Sequence, residues 1–335
     1  MNILHIIHFM NGGGSNKACY EVVKNDTENN HAFVCSEDGI AKEWFECIGS
    51  VYTLDRDSHF NYPVVKIEDI INTHEIDVIH MYLPGMENPS FLDHIKKPKM
   101  ITVLCDQIIG FNVDNFDHIH FISEYSKLIN SENIGNAKNS VIRCGMQDVE
   151  KNPVRKNTDV VFGRISAICR TKKIIDTLIC AKALPENKFI VGGHVLDETY
   201  NNFLKHFIHY NELKNVHFVN NVSEQQKDFI YSSIDVLHYP TSHENFCFSI
   251  LEGMAKQKAV ISYDDCSIPE LNHENNLFIV ENDNISKLID ATMMYTKDSK
   301  SRVEDAIKNR RVYETFYDTE NYANSIKDIY ESIGR

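Results

Sequence analysis

The chain has 335 residues, a length typical of about two domains. Its 34 Lys and Arg against 48 Asp and Glu give a net charge of −14, which argues against non-specific nucleic-acid binding. No apolar run approaches the roughly 18 residues of a membrane helix, and the first residues lack the basic region of a signal peptide. We therefore expect a cytoplasmic protein; peripheral contact with the inner face of a membrane stays open.

Short apolar runs alternate with amphipathic helical patterns in the first half of the chain. Strands that are apolar on both faces, separated by amphipathic helices, indicate a parallel sheet covered on both sides. The pattern stops at the polar stretch 150–159, which we interpret as a linker. The predicted strands are 3–9, 32–35, 78–81, 100–104 and 119–122, with helices that include 17–24 and 64–72.

The alternation of apolar runs and amphipathic helical patterns resumes after the linker. The predicted strands are 160–163, 189–192, 216–219, 236–239 and 259–263; the predicted helices are 173–184, 198–211, 224–232, 248–256, 285–295 and a last one over 320–333. We predict an α/β fold of two doubly wound, Rossmann-like domains. Such sheets bind ligands at the carboxyl ends of their strands, so the cleft between the domains is the expected site.

Each half of the chain carries a candidate anion-binding motif after its first predicted strand, a glycine-rich one in the first half and a basic one in the second. Gly12-Gly13-Gly14-Ser15 precedes the first helix, where free amides favour an anion; a plain tight turn is the alternative. Gly163-Arg164 ends the first strand of the second half, and Arg170, Lys172 and Lys173 come next. Basic residues beside a helix start can neutralise a diphosphate, although a solvated basic loop explains them equally well.

The most informative stretch runs from Tyr239 to Ala255. A strand ends, a polar loop carries Glu244, and a helix begins near Phe246. Glu252 lies on a largely apolar helix face, so its carboxylate needs partners, which ligand hydroxyls could supply. The amides of Phe246, Cys247 and Phe248 would face an anion.

These motifs resemble those of the retaining GT-B glycosyltransferases of family four, the glycosyl transferases group 1. The run Pro-Thr-Ser-His-Glu…Glu-Gly-Met-Ala at 240–255 is similar to the family signature, with the same seven-residue gap between Glu244 and Glu252. Gly163-Arg164 with Lys173 and the residues 174–181 resembles a second family motif. The likeness is specific in the second half of the chain and looser in the first.

The resemblance implies a nucleotide-sugar donor site in the second domain and an acceptor site in the first. Glu252 would hold the ribose, and Glu244 a hydroxyl of the donor sugar. The other donor-site residues would be Arg164 and Lys173 on the diphosphate, Asn220 near the base, Phe246, Cys247 and Phe248 through their amides, and Gly13 and Gly14 from the first domain. Glu244, Arg164 and Lys173 would be catalytic, and Arg170 or Lys172 could replace Lys173.

On the acceptor side the candidates are His80, Cys105 and Asp106, where Cys105-Asp106 replaces the family's His-Asp. The resemblance also implies domains over 1–152 and 159–315, and a closing helix over 316–335 that returns to the first domain. It implies transfer with retention, without metal or other cofactor, from a nucleotide sugar (UDP-sugar favoured). The acceptor would be a saccharide, a lipid-linked molecule or another compound, with a role in polysaccharide biosynthesis.

Other classes explain the chain less well. A non-catalytic nucleotide-sugar-binding subunit of the same fold is the main alternative, because Cys105 departs from the family pattern. An epimerase of the same fold is disfavoured by the paired glutamates, and a nicotinamide dehydrogenase by the absence of Gly-x-Gly-x-x-Gly. Nine scattered cysteines without Cys-x-x-Cys, and His118 with His120 as the nearest approach to a metal pair, predict no metal site.

Overall fold

The computed structural model describes residues 1–59, 61–83, 89–104, 108, 113–152 and 159–334. The chain divides into two compact units. The first comprises Met1–Gln147 together with Tyr317–Arg335, and the second comprises Asp148–Phe316. Most of the predicted linker, 153–158, lies outside the described residues.

The first unit is built on a seven-stranded, fully parallel sheet. Its strands are β1 (Asn2–Ile7), β2 (Asn30–Cys35), β3 (Ser50–Thr53), β4 (Val78–Leu83), β5 (Lys99–Val103), β6 (His118–Phe121) and β7 (Asn139–Val141), in the order β3-β2-β1-β4-β5-β6-β7. The order reverses between β1 and β4, as it does in doubly wound folds. Its helices are α1 (Gly14–Asn25), α2 (Lys42–Glu46), α3 (Val64–Thr73), α4 (Glu124–Ile129) and, at the end of the chain, α11 (Thr319–Ile333).

The two faces of this sheet differ in polarity. Side chains alternate along a strand, so Leu4 and Ile6 lie in an apolar cluster on one face while His5 lies on the other. On that second face a row of buried polar groups crosses the sheet. Its hydrogen bonds join His5 to His31 (3.0 Å), His80 to Tyr330 (2.6 Å) and to Thr102 (2.7 Å), Thr102 to His120 (2.8 Å), and His120 to the carbonyl of Ile142 (2.8 Å).

The predicted closing helix is found in the first unit. α11 packs along α1, and Tyr330 anchors it through His80 in β4. Thr319, at the start of α11, donates to the carboxylate of Glu21 in α1 (2.8 Å). The last element of the chain thus completes the polar side of the first sheet.

The second unit has a six-stranded parallel sheet. Its strands are β8 (Val161–Ile165), β9 (Lys188–Gly193), β10 (Val216–Asn220), β11 (Val236–Tyr239), β12 (Ala259–Asp264) and β13 (Phe278–Glu281), in the order β10-β9-β8-β11-β12-β13. Its helices are α5 (Ile174–Ala183), α6 (Glu198–Tyr210), α7 (Glu224–Ser233), α8 (Phe248–Ala255), α9 (Ile285–Lys297) and α10 (Ser299–Phe316). The prediction of two doubly wound α/β sheets is confirmed.

Several elements were not predicted from the sequence, among them the short helices α2 and α4. β3, β7 and β13 are edge strands of four, three and four residues, too short to show a clear alternation. α10 has little apolar asymmetry because Arg302, Asn309 and Arg310 point into the interior, where Arg310 donates to the carbonyl of Ala255 (2.5 Å). A helix that buries polar side chains does not show the usual apolar stripe.

The buried histidines of the first unit lower its stability at acidic pH. Burial lowers the pKa of His120 to about 4 and, with a smaller contribution from Arg56, that of His8 to about 3; it also holds the pKa of His5 and His80 well below the usual value. Unfolding restores a pKa of about 6.5, so the unfolded chain binds more protons and stability falls as the pH drops below about 6.5.

We expect each of these histidines to remove about 1.4 kcal/mol of unfolding free energy per pH unit between about pH 6.5 and its own folded-state pKa. Hydrogen exchange on the intact chain, compared between neutral and mildly acidic buffer, checks this unit by unit. The second unit contains one comparable histidine, His238, among the described residues, and burial also lowers its pKa. Amide protection should therefore fall more in the first unit than in the second. Equal loss of protection in both units would contradict the assignment.

Candidate functional site

Several of the predicted donor-site residues of the second unit lie where the strand order of its sheet reverses. β8 and β11 are neighbours in the sheet. The chain continues from β8 to β9 toward one edge of the sheet and from β11 to β12 toward the other edge. Arg164 lies near the carboxyl end of β8, and the loop with Glu244 follows β11. In doubly wound sheets this point offers a crevice for ligands.

Arg164 is fully buried and ties the segments of this crevice together. Its Nη1 donates to the carbonyl of Pro240 (2.6 Å), its Nη2 to the carbonyl of Lys172, and its Nε to Ser166 Oγ (3.2 Å). The guanidinium also lies 4.6 Å from the centroid of the Tyr239 ring. These contacts engage each guanidinium nitrogen within the protein, so Arg164 holds these segments together in this structure, and its contact with a diphosphate stays a prediction.

Lys172 is the cation that meets Glu244. Its Nζ lies 2.5 Å from Glu244 Oε1, which also accepts from Thr241 Oγ1 at 2.8 Å. Burial acts to lower the pKa of Lys172, but the charge and hydrogen bond of Glu244 outweigh it, so the pKa lies above the usual value. The Glu244 carbonyl accepts from both the amide and the hydroxyl of Ser267, which fixes the loop.

Lys173 and Arg170 point elsewhere. Lys173 Nζ lies 2.5 Å from Asp283 Oδ1 and 2.8 Å from Asn282 Oδ1, beyond the end of β13. The Arg170 side chain is 70% exposed, and its nearest carboxylate is Asp197 at 3.7 Å. The structure thus brings Lys172, and not the predicted Lys173, to Glu244.

Glu252 lies in α8 and is nearly buried, as predicted. Tyr231 donates its hydroxyl to Oε2 (3.0 Å), and Lys227 Nζ lies 3.3 Å from Oε1. Lys227 also pairs with Glu224 at 2.6 Å, so it bridges two carboxylates. Burial acts to lower the pKa of Lys227, but Glu252 and Glu224 raise it above the usual value.

The start of α8 has an unusual cap. Cys247, the residue before the helix, adopts a left-handed conformation (φ 63°, ψ 72°) and provides no side-chain cap for the first amides of the helix. Phe246 and Phe248 flank it, with ring centroids 5.2 Å apart. Helices usually start from an extended residue whose side chain caps these amides, so α8 begins with amides suited to an added acceptor.

Left-handed residues collect at this edge of the second sheet. Non-glycine residues with positive φ follow β10 (Asn221), β11 (His243, Cys247), β12 (Cys266) and β13 (Asp283), and Lys173 precedes α5. Such conformations cost free energy and concentrate at binding and catalytic sites. Asn220, predicted near a base, ends β10 beside them, and its Oδ1 is buried without a hydrogen bond in the described part of the chain.

In the first unit, the glycine motif lies at the start of α1. Gly13 is exposed and precedes the helix, and Gly14 is its first residue. Gly12 has φ 79°, a conformation that favours glycine, and its amide donates to Asn16 Oδ1 (2.7 Å). The Asn16 Nδ2 in turn donates to the carbonyl of Phe9, which closes the turn.

Of the three acceptor-side candidates, the structure describes His80 alone. His80 is fully buried inside β4, and both of its ring nitrogens are bonded within the core, so its prediction as an acceptor-side residue is wrong: it is a structural histidine. Cys105 and Asp106 lie outside the described residues.

The partners of Glu252 were not predicted from the sequence. Lys227 and Tyr231 are four residues apart, so they share one face of α7, and this spacing is visible in the sequence. Nothing in the sequence says that this face meets α8. The contact depends on how α7 and α8 pack on the sheet.

Two classes of feature are absent from the described residues. No group of three or more His, Cys, Asp or Glu side chains there could hold a metal ion. Nor does that part of the chain contain a helix with both the length and the apolar character needed to cross a bilayer.

Solved structures with the same fold include a glycosyltransferase and a sucrose-phosphate synthase. HepE from Anabaena in complex with UDP-glucose superposes with a TM-score of 0.84 at 16% identity, over 99% of this chain and 100% of that chain. A glycosyltransferase from Rickettsia africae superposes with a TM-score of 0.82 at 16% identity, over 99% of this chain and 98% of that chain. Sucrose-phosphate synthase from Thermosynechococcus elongatus superposes with a TM-score of 0.82 at 12% identity, over the same shares of the two chains. The chain therefore has the GT-B fold.

The family match is confined to the second half of the chain. Residues 147–312, just under half of the chain and nearly all of the second unit, match the family Glycosyl transferases group 1. No curated protein matches the chain significantly. The matched segment thus contains both Glu244 and Glu252.

The left-handed Cys247 leads to a stability prediction. A residue with a Cβ pays roughly 1–2 kcal/mol in this conformation, whereas glycine does not. Cys247→Gly should therefore unfold with a free energy about 1 kcal/mol higher than Cys247→Ala, which loses the same thiol but keeps the Cβ. Urea unfolding measures the difference.

Cys180 is the matched control because it is buried inside the helix α5. There the order should reverse, since glycine in a helix is about 1 kcal/mol less favourable than alanine. If alanine is the more stable replacement at both positions, the backbone at Cys247 is not strained.

Proposed function

We propose that this protein is a glycosyltransferase that moves a sugar from a nucleotide-sugar donor to an acceptor. The observation that carries the proposal is the pair Glu244 and Glu252, each held by a lysine, where the strand order reverses. The pair lies within the segment that matches Glycosyl transferases group 1. A UDP-sugar is the favoured donor, because HepE of the same fold was crystallised with UDP-glucose.

The ribose of the donor would bind at Glu252. A carboxylate can accept about four hydrogen bonds, and the contacts with Tyr231 and Lys227 hold that of Glu252 in place for the ribose hydroxyls. The base would lie near Asn220, whose buried Oδ1 could accept an N–H of the base. The amides of Phe246, Cys247 and Phe248 would meet the sugar and phosphates at the start of α8.

Lys172 replaces Arg164 and Lys173 in our proposal for the diphosphate contact. Its ammonium lies beside Glu244, whereas Arg164 is committed to backbone carbonyls and Lys173 to Asp283. The charge that develops on the leaving diphosphate would then be met by an ammonium already in place. Electrostatic preorganisation of this kind is commonly the largest contribution to catalysis.

The reaction would proceed with retention and without a metal ion. The bond between the sugar C1 and the diphosphate oxygen breaks, the acceptor oxygen bonds to C1 from the same face, and its proton passes to the released phosphate oxygen. Glu244 would hold a hydroxyl of the donor sugar during this step. The acceptor, a saccharide, a lipid-linked molecule or another compound of polysaccharide biosynthesis, would bind to the first unit.

Incubation with UDP-glucose in excess chelator tests the reaction class. We expect release of UDP by transfer or slow hydrolysis, and a transferred glucose that keeps the α configuration in NMR spectra. Activity that disappears with chelator and returns with magnesium or manganese would contradict the metal-independent mechanism. Inverted product would contradict retention.

The neighbouring lysines provide a sharp prediction. Lys172→Ala should lower kcat about a hundred- to a thousandfold, the usual effect of losing a donor that meets developing charge. Lys173→Ala should stay within about fivefold of the parent, because the ion pair it loses is with the exposed Asp283. Steady-state kinetics with UDP-glucose measure both.

The two substitutions remove the same side chain from adjacent positions, so they serve as controls for each other. Circular dichroism and thermal unfolding check that both variants fold. A larger kcat loss for Lys173→Ala than for Lys172→Ala would return the diphosphate contact to Lys173.

The two glutamates should separate in binding and turnover. Glu252→Gln should weaken binding of UDP, because the ribose is held alike before and during reaction, and such uniform binding appears mainly in KM. Glu244→Gln should leave UDP affinity nearly unchanged and lower kcat. Calorimetry with UDP and kinetics with UDP-glucose check this, and equal losses of UDP affinity in the two variants would refute the division of roles.

A further inference from the structure

The first unit contains a cavity that the proposed donor site does not use. Its volume is about 410 Å³, within the range of small-molecule sites. Asn30 and Ser50, which begin β2 and β3, lie on its wall, so it opens at the amino ends of these strands. Gly12–Gly14 follow the opposite, carboxyl end of β1. The lining includes Tyr20, Lys24, Thr27, Trp44, Cys47 and Ser50.

Two aromatic side chains form one wall of the cavity. Tyr20 from α1 and Trp44 from α2 lie with ring centroids 5.5 Å apart and planes inclined by 50°, and both are half-buried. Trp44 is the one tryptophan of the chain. Aromatic rings at a concave surface offer apolar faces that C–H groups of a ligand can cover.

Hydroxyl and amide groups line the rest. Thr27 and Ser50 are exposed at the cavity, and Asn29 lies beside them, with its Nδ2 bonded to Asp26. His74 caps α3 and is bonded to the Tyr52 hydroxyl (2.7 Å). A ligand with several hydroxyls would find both donors and acceptors here.

Electrostatics restricts the charge of the ligand. α1, α2 and α3 all end at this cavity, and the carbonyl ends of helices carry partial negative charge that disfavours anions. Lys24 lies 5.4 Å from the centroid of the Tyr20 ring, and its positive charge disfavours a ligand cation. Asp26 is buried, and its carboxylate lies 3.6 Å from His31 Nε2 and 3.9 Å from Lys327 Nζ. An uncharged ligand fits both constraints.

We propose that this cavity is a binding site for a neutral saccharide, separate from the donor site. A sugar ring combines an apolar C–H face, suited to Trp44 and Tyr20, with hydroxyls suited to Thr27 and Ser50. The site would hold a part of a glycan at a distance from the reacting end. The inference stands on the first unit alone and does not require the second unit to bind a nucleotide.

The single tryptophan makes the test direct. Trp44 emission is titrated with glucose and maltose, and with glucuronate and glucosamine as anionic and cationic analogues of the same ring. We expect saturable changes with the neutral sugars, and weaker binding of both charged analogues. Absence of any change with glucose and maltose would overturn the proposal, as would tighter binding of either charged analogue.

Variants and labelling keep the result interpretable. Tyr20→Leu and Thr27→Val, which leave Trp44 in place, should each weaken sugar binding several-fold, whereas Phe229→Leu, at an exposed aromatic of the second unit, should not. Neutral sugar should also slow maleimide labelling of the exposed Cys47 but not that of Cys266. Unchanged sugar affinity in both first-unit variants, or unprotected Cys47, would contradict the site.

The outcome is independent of the proposed transferase activity. UDP should not alter Trp44 emission through this cavity or compete with maltose for it. Loss of UDP binding in Glu252→Gln with intact maltose binding would show that the two sites are distinct. Competition between UDP and maltose at Trp44 would instead overturn the assignment to a saccharide.

Discussion

The buried guanidinium of Arg164 holds the candidate donor site in shape. It joins the end of β8 to the residue after β11 and to the segment before α5, by hydrogen bonds to Pro240 and Lys172. Those segments carry the functional groups: Lys172 on one and, a few residues beyond Pro240, Glu244 on the other. A guanidinium suits this task because its donors are planar and directed, and because it stays protonated when buried. The 2.5 Å contact between Lys172 and Glu244 therefore depends on Arg164, although Arg164 touches neither side chain through its own hydrogen bonds.

Much of the fold follows from the pattern of the sequence. Apolar runs in alternation with amphipathic segments indicated the central strands and most helices of both units, because these elements are buried on regular faces. Short edge strands such as β7 escaped, since three residues carry no period. α10 escaped because arginines occupy its buried side.

The candidate site likewise contains residues that were predictable from the sequence and contacts that depend on the fold. Spacing identified Glu244 and Glu252, and both lie where a ligand site is expected. Spacing could not choose between Lys172 and Lys173, because the left-handed backbone of Lys173 (φ 44°) turns adjacent side chains in different directions. His80 was a candidate through the family resemblance, yet its partners Tyr330 and Thr102 are distant in sequence and are known only from the fold.

The placement of α11 has a consequence for biosynthesis. The first unit is discontinuous: its sheet is synthesised early, but the helix that bonds to His80 follows the whole of Asp148–Phe316. At typical rates of translation these residues take on the order of ten to thirty seconds to make. The second unit is continuous and can fold as soon as it leaves the ribosome, while the first sheet still waits for its last helix. The half of the molecule that is synthesised first is therefore the half that finishes folding last.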